Sequence, residues 1–113
     1  MLLTPFSVDE ESSQDFVTAY RDAYGIDPLQ FAADAYDCVY VIKAAAEKEN
    51  VTPDKSVSDI CDALKKGMTE ITYDGLTGKS ITWSEDGEPT KEPTVVVVKS
   101  GEYQVLQAED AAE

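Results

Sequence analysis

Asp34 and Asp37 lie three positions apart in the run Phe31-Ala32-Ala33-Asp34-Ala35-Tyr36-Asp37-Cys38-Val39 and could meet on one side of a helix. Two carboxylates so placed are the minimum for general acid–base work. No nucleophile or base accompanies them in the sequence. Acids near a helix start oppose the positive end of its dipole, so both are expected on a solvent edge or in a first turn. A second candidate is Asp74-Gly75-Leu76-Thr77-Gly78-Lys79-Ser80, which ends in Gly-Lys-Ser like a phosphate loop. That motif needs a further Gly at position 73, where Tyr73 stands, and a helix afterwards, where a strand is expected. Gly75 and Gly78 are expected instead at positive φ in a turn. Ser84-Glu85-Asp86-Gly87-Glu88-Pro89 holds acids and one Gly but misses the calcium-loop spacing, and Asp9-Glu10-Glu11 reads as a solvated charge run. Cys38 and Cys61 fall on apolar helical stripes with no basic cluster near them in sequence, so buried, unreactive thiols are expected. These residues offer no catalytic set, no metal site and no cofactor, and no enzyme is expected.

Composition narrows the classes further. The 113 residues include no His, which removes the commonest general base and most catalytic zinc sites. Twenty-three acidic side chains face nine basic ones, for a net charge of −14. A phosphate-binding face needs clustered Lys and Arg, so nucleic acid is excluded as a partner, and anionic lipid would repel the surface. With 42% apolar and 28% charged residues the chain is globular and has room for one domain. No apolar run approaches the ~20 residues of a membrane helix. Met1-Leu2-Leu3-Thr4-Pro5 has neither the basic start nor the apolar stretch of a signal peptide, and none is expected in this chain.

The elements that must position these residues follow from periodicity. Leu2-Leu3-Thr4 is a short candidate strand. Ser12 with Asp15 fits a capping box, and Phe16, Ala19, Tyr20, Ala23 and Tyr24 predict the buried face of a helix over about 13–24, closed by Gly25 and Asp27-Pro28. From Phe31 to Glu49 there is no Gly or Pro and Ala is frequent, which predicts a second helix. Its stripe is Phe31, Ala35, Cys38, Val39, Ile42 and Ala46, widened by Tyr36, Tyr40 and Val41. A helix apolar over so much of its girth is usually sandwiched between two layers. Ser56 with Asp59 repeats the cap, and Val57, Ile60, Cys61 and Leu64 predict a third helix ended by Gly67. The four tyrosines of the first two helices look like core or interface residues whose hydroxyls reach water. Beyond Gly67, Ile71, Tyr73, Ile81 and Trp83 alternate at period two, with Ser84 to Gly87 as a turn and Trp83 as a small anchor. Val95 to Val98 predict a strand covered on both faces. Ser100-Gly101 is a tight turn into a last strand, Glu102 to Leu106, and Gln107 to Glu113 is expected to be a disordered acidic tail. The fold class is α/β, three helices followed by a C-terminal β-hairpin unit, with too few strands to cover the second helix.

Several segments together resemble one family. Phe31 to Val39 resembles an aromatic, small residues, then Ala-Tyr-Asp-Ala-Val. Phe16, Tyr20 and Tyr24-Gly25 match the helix before it. Tyr73-Asp74-Gly75-Leu76-Thr77-Gly78, then Ile81-Thr82-Trp83 and Gly87, resemble its Phe-x-Gly-x-Thr-Gly, strand, Gly pattern, and Val95 to Val98 with Gly101-Glu102-Tyr103 resemble its closing hairpin. The family is the type I periplasmic binding proteins, specifically the substrate-binding proteins of branched-chain amino acid ABC transporters.

The resemblance implies a C-terminal third of a two-lobed protein that closes on its ligand. Residues 1–106 would be part of the ligand-binding domain, a partial Rossmann-like first lobe plus hinge strands. Its three helices would pack on the first lobe's sheet, and Leu2 to Pro5 would cross between lobes. Of the family's ligand contacts only Phe31 carries over, at a position where an aromatic ring touches the ligand's side chain; a staple at the helix start is the other account of that ring. The implied function is capture of an amino acid, branched-chain by family, outside the cytoplasmic membrane and delivery to an ABC permease. The alternatives are an extracellular ligand-sensing module of a receptor, or a truncated product that binds nothing and dimerises. Open sheet edges on so short a chain lead us to expect a homodimer or a domain swap.

Overall fold

Ala-rich, Gly-free sequence builds the first half of the chain and β-branched sequence closes it. In the computed structural model, which describes residues 2–106, β1 (Leu2–Thr4) leads through a 3-10 turn (Glu11–Ser13) into α1 (Gln14–Tyr24), followed by α2 (Gln30–Lys48) and α3 (Val57–Glu70). After an irregular stretch come β2 (Thr94–Lys99) and β3 (Glu102–Val105). The strands form one antiparallel sheet in the order β1-β2-β3, with Thr4 opposite Thr94 and Lys99 opposite Glu102. The tail expected at 107–113 lies outside the described residues.

The helix ends show which local signals act. Gly25 sits at φ 71° and donates its N–H to the Arg21 carbonyl, closing α1 as expected. Ser56 caps α3 by accepting from the Asp59 N–H at 3.1 Å. The box expected at Ser12 does not form; the 3-10 turn occupies those residues and no side chain caps α1. Gly67 does not end α3, which runs on to Glu70. Its missing side chain is needed for packing: a Cβ there would lie 2.6 Å from the Ala45 carbonyl oxygen of α2. Ala45 and Gly67 are both buried, so small residues let the two backbones touch. Lys66 with Glu49, at 2.9 Å, and Lys48 with Glu70, at 3.9 Å, flank the contact; exposed and open to screening, such pairs add little to it.

The buried faces differ from those expected. In α1 the fully buried residue is Val17, while Ala19, Ala23 and Tyr24 are exposed. In α2 the buried row is Ala33, Asp37, Val41 and Ala45. Phe31, Ala35, Cys38, Val39 and Ile42, expected inside, face out. The helix is apolar nearly all round, so periodicity alone does not choose between its faces. The choice is made by what this chain offers as a cover: a small core of Phe6, Val17 and Ala33 with Val8, Phe16 and Leu76 against it. Phe16 touches Phe6 edge-on with ring centroids 6.0 Å apart and Tyr36 at 5.1 Å. From Phe16 the rings continue to Tyr20 and Tyr24 along α1, and from Tyr36 to Tyr40 along α2.

The sheet is barely covered. Only Val96 of β2 is buried, and Val98 is exposed, so the two-sided cover expected for the valine run is not supplied by these residues. Ser100 and Gly101 take positive φ in the turn to β3, as the tight hairpin requires. The chain exposes 7974 Å², against about 6,100 Å² expected of a compact monomer of this mass.

Candidate functional site

An acid lies in the buried row of α2. Asp37 has Ala33 one turn before it and Val41 one turn after, and it shares their burial. Its partners come from a loop some forty residues on. Tyr73 and Ile81 exchange backbone hydrogen bonds of 2.9 and 2.8 Å and pinch off residues 74–80. Within that loop Gly75 donates to the Gly78 carbonyl, and Asp74 Oδ1 accepts from the Ser80 N–H at 2.7 Å.

The loop is laid on the Asp37 carboxylate. The Leu76 N–H donates to Oδ1 at 3.0 Å, the Thr77 N–H to Oδ2 at 2.8 Å and the Thr77 hydroxyl to Oδ2 at 2.7 Å. The Tyr73 hydroxyl reaches Oδ1 at 3.3 Å. Burial, the Asp37 charge and that hydrogen bond, in this order, push the Tyr73 phenol up to about 12. Thr77 is itself fully buried and accepts from Lys91 Nζ at 2.7 Å; that ammonium lies 3.6 Å from Asp34 Oδ1. The resulting chain of polar contacts joins α2, the loop and residue 91.

Asp34 and Asp37 therefore do different work from the solvated pair expected. They are not a catalytic dyad: Asp37 accepts from four loop donors and Asp34 pairs with a lysine. Gly75 and Gly78 are absent from the positive-φ residues, which corrects the expected turn. Gly75 is required by space: a Cβ there would sit 2.5 Å from Asp37 Oδ2, while one on Gly78 would crowd the Ile81 side chain at 3.2 Å. Lys79 and Ser80 are exposed, and the backbone after them bridges back to Tyr73 instead of entering a helix. Cys38 and Cys61 are free and exposed, where buried thiols were expected, because each lies on the uncovered side of its helix.

Phe31, the one residue expected to touch a ligand, is the second residue of α2 and is 73% exposed. Ile26 and Leu29, before the helix, and Val39, two turns further along it, are also exposed. A separate cleft of about 240 Å³ lies between the loop and the two stretches entering the sheet, lined by Pro5, Glu10, Gly75 to Lys79 and Glu92 to Thr94. Among the described residues no group of three Cys, Asp or Glu side chains is placed to hold a metal ion, and no helix is long and apolar enough to cross a membrane.

The Asp37 clamp, Thr77 and Lys91 were not foreseen from the sequence. The available signal was an acid in register with Ala33, Val41 and Ala45, together with a downstream loop holding two close glycines.

The chain matches the family model described as periplasmic binding protein over residues 2–102. Among solved structures it is similar to one described as a branched-chain amino acid ABC transporter from Rhodospirillum rubrum, at 31% identity and TM-score 0.69, covering 93% of this chain and 30% of that one. It is also similar to an ABC transporter substrate-binding protein from Desulfitobacterium hafniense, at 21% identity and TM-score 0.69 over 89% of this chain and 29% of that one. A leucine-binding protein from Thermotoga maritima matches at 22% identity and TM-score 0.65 over 91% of this chain and 27% of that one. The two latter likenesses concern the fold. The chain spans less than a third of each of these proteins, and no curated protein matches it significantly.

Proposed function

The chain belongs to the periplasmic binding protein family, and on that premise we propose that it serves as the C-terminal part of an extracytoplasmic solute-binding protein. Residues 1–106 contribute most of their mass to the first lobe and supply two strands of the hinge. The solute is an amino acid with an aliphatic, branched side chain, held as the lobes close and passed to an ABC permease. Ligand binding energy shifts the open–closed equilibrium only to the extent that the closed form makes the additional contacts. The protein acts by capture, without catalysis.

One observation carries this reading. Phe31 stands open on the first turn of a helix whose buried row is fixed by the Asp37 clamp. A rigidly based, outward aromatic ring beside Ile26 and Leu29 suits an aliphatic side chain, and the rest of the pocket comes from the remainder of such a protein. The exposed Val39 and Ile42 on the same helix suit burial against the lobe's sheet.

The test is a graft. Residues 2–106 replace the matching segment of the Rhodospirillum rubrum neighbour, and a panel of amino acids is screened by thermal shift beside the unmodified neighbour. A ligand at 100 times its Kd stabilises by about 2.7 kcal/mol, a rise of several degrees. Stabilisation by leucine, isoleucine or valine is the expected result. A folded graft that answers to no amino acid, while the unmodified neighbour does, contradicts the proposal.

A further inference from the structure

The described elements fall into two groups. α2 packs on α3 and the strands pair with one another, but no strand packs extensively on a helix. The chain passes between the groups twice, outward from β1 through residues 4–6 and back through residues 91–94. Both passages carry a proline beside the last strand pair: Thr4 faces Thr94, and Pro5 and Pro93 stand next to them. Proline has no N–H and a fixed φ, so sheet pairing stops there and each passage is a stiff connector.

Each connector also makes a polar tie to the first turns of α2, and the first is seated in the core by Phe6 as well. The Thr4 hydroxyl lies 3.1 Å from Gln30 Oε1. Lys91 Nζ donates to Thr77 Oγ1 at 2.7 Å and lies 3.6 Å from Asp34 Oδ1. Gln30 and Asp34 are one helical turn apart, on one face of the helix. Thr77 is in turn fixed to Asp37, so the lysine is anchored on a buried polar cluster. The cleft lined by Pro5, Glu92 and Pro93 lies between the connectors; Phe6 seats the first of them in the core, whereas the second, residues 91–94, is held to the helices by the Lys91 side chain.

We propose that Lys91 is a latch that sets the angle between the three-stranded sheet and the helices. The ammonium is the removable part: its pair with Asp34 is partly exposed and open to screening by salt, whereas the Asp37 cluster beneath it is buried. With the latch engaged the sheet has one orientation; with it released the second connector loses its side-chain hold on the helices, and the sheet is left to pivot on the first. Its consequence for solute capture rests on the function proposed above, since the same connectors would then join the lobes. The latch itself needs no ligand, so the two fail separately.

The test uses the whole chain with Cys38→Ser, carrying one spin label on Cys61 of α3 and one on Val98→Cys of β2, both exposed positions. Pulsed electron–electron distance measurements should give a single narrow distribution. Lys91→Met should widen it at least twofold with unchanged helical circular dichroism, and 1 M salt should widen the unsubstituted chain in the same direction. Lys65→Met, which removes an equal charge from α3, should leave the width alone. A Lys91→Met chain with the original distribution overturns the latch. If Lys91→Met loses helix, Asp34→Asn carries the same test with the Thr77 bond kept, and an unchanged width there overturns it equally.

Discussion

The clamp region and the sheet are built from opposite economies. Around Asp37 four donors from one loop converge on a single buried carboxylate, and Gly67 lets α3 touch α2 at Ala45, so this half is tied internally by polar and backbone contacts. The sheet satisfies its backbone by pairing but buries only Val96, with Leu2, Leu3, Val98 and Tyr103 left open. The difference separates the part of the chain that buries its own polar and backbone contacts from the part that leaves apolar surface open. That open surface lies on the sheet and on the outer side of α2, which carries Phe31.

The comparison breaks most readily at Asp37. Asp37→Ala leaves two backbone N–H groups and the Thr77 hydroxyl without their acceptor, at a cost of about 3–4 kcal/mol in urea unfolding. Hydrogen exchange should show the loss first at Leu76 and Thr77, with the β2–β3 amides changed far less. Equal loss in the sheet would mean the two regions are one cooperative unit. The helix contact is the next point. Gly67→Ala places a methyl group against the Ala45 carbonyl, and overpacking of about 1–3 kcal/mol should outweigh the ~1 kcal/mol that Ala gains over Gly in a helix. A stabilised Gly67→Ala chain would show that α2 and α3 are free to part.

The smallest effect is read by pH. Tyr73 is held protonated in the fold, up to about 12, against the ordinary phenol value of 10.0. Its contribution to stability is therefore complete below pH 10 and is lost as pH rises from 10 through 12. Tyr36 is also raised, first by its hydrogen bond with Tyr40 and then by burial, so part of the alkaline loss belongs to it. Urea midpoints measured from pH 9 to 12 should fall less steeply for Tyr73→Phe than for the unsubstituted chain. Parallel curves would remove Tyr73 from the clamp.

The elements were legible where the signal is local. Gly25, Ser56 and Ser100-Gly101 fix two helix ends and a turn through their own backbone or the next few residues. Helix 2 was legible as a helix and illegible as to face, because apolar residues ring it and the deciding partner, Thr77, lies forty residues away. Gly67 and Gly75 read as punctuation in the sequence, yet each stands where another part of the chain passes too close for a Cβ. The family resemblance was carried by Phe31 to Val39 and the Tyr73 to Gly78 loop, the two segments that the Asp37 clamp joins.

In the proposed function α2 presents Phe31 to a solute from a clamped base. Leucine affinity of the graft, measured by calorimetry with and without Phe31→Ala, tests it most directly. The ring is open in this chain, so its removal should leave folding unchanged. Loss of an aromatic contact worth about 2–3 kcal/mol should weaken leucine binding roughly 30- to 150-fold. An unchanged Kd in a folded Phe31→Ala graft would contradict the claim and leave the ring to the packing of the surrounding body.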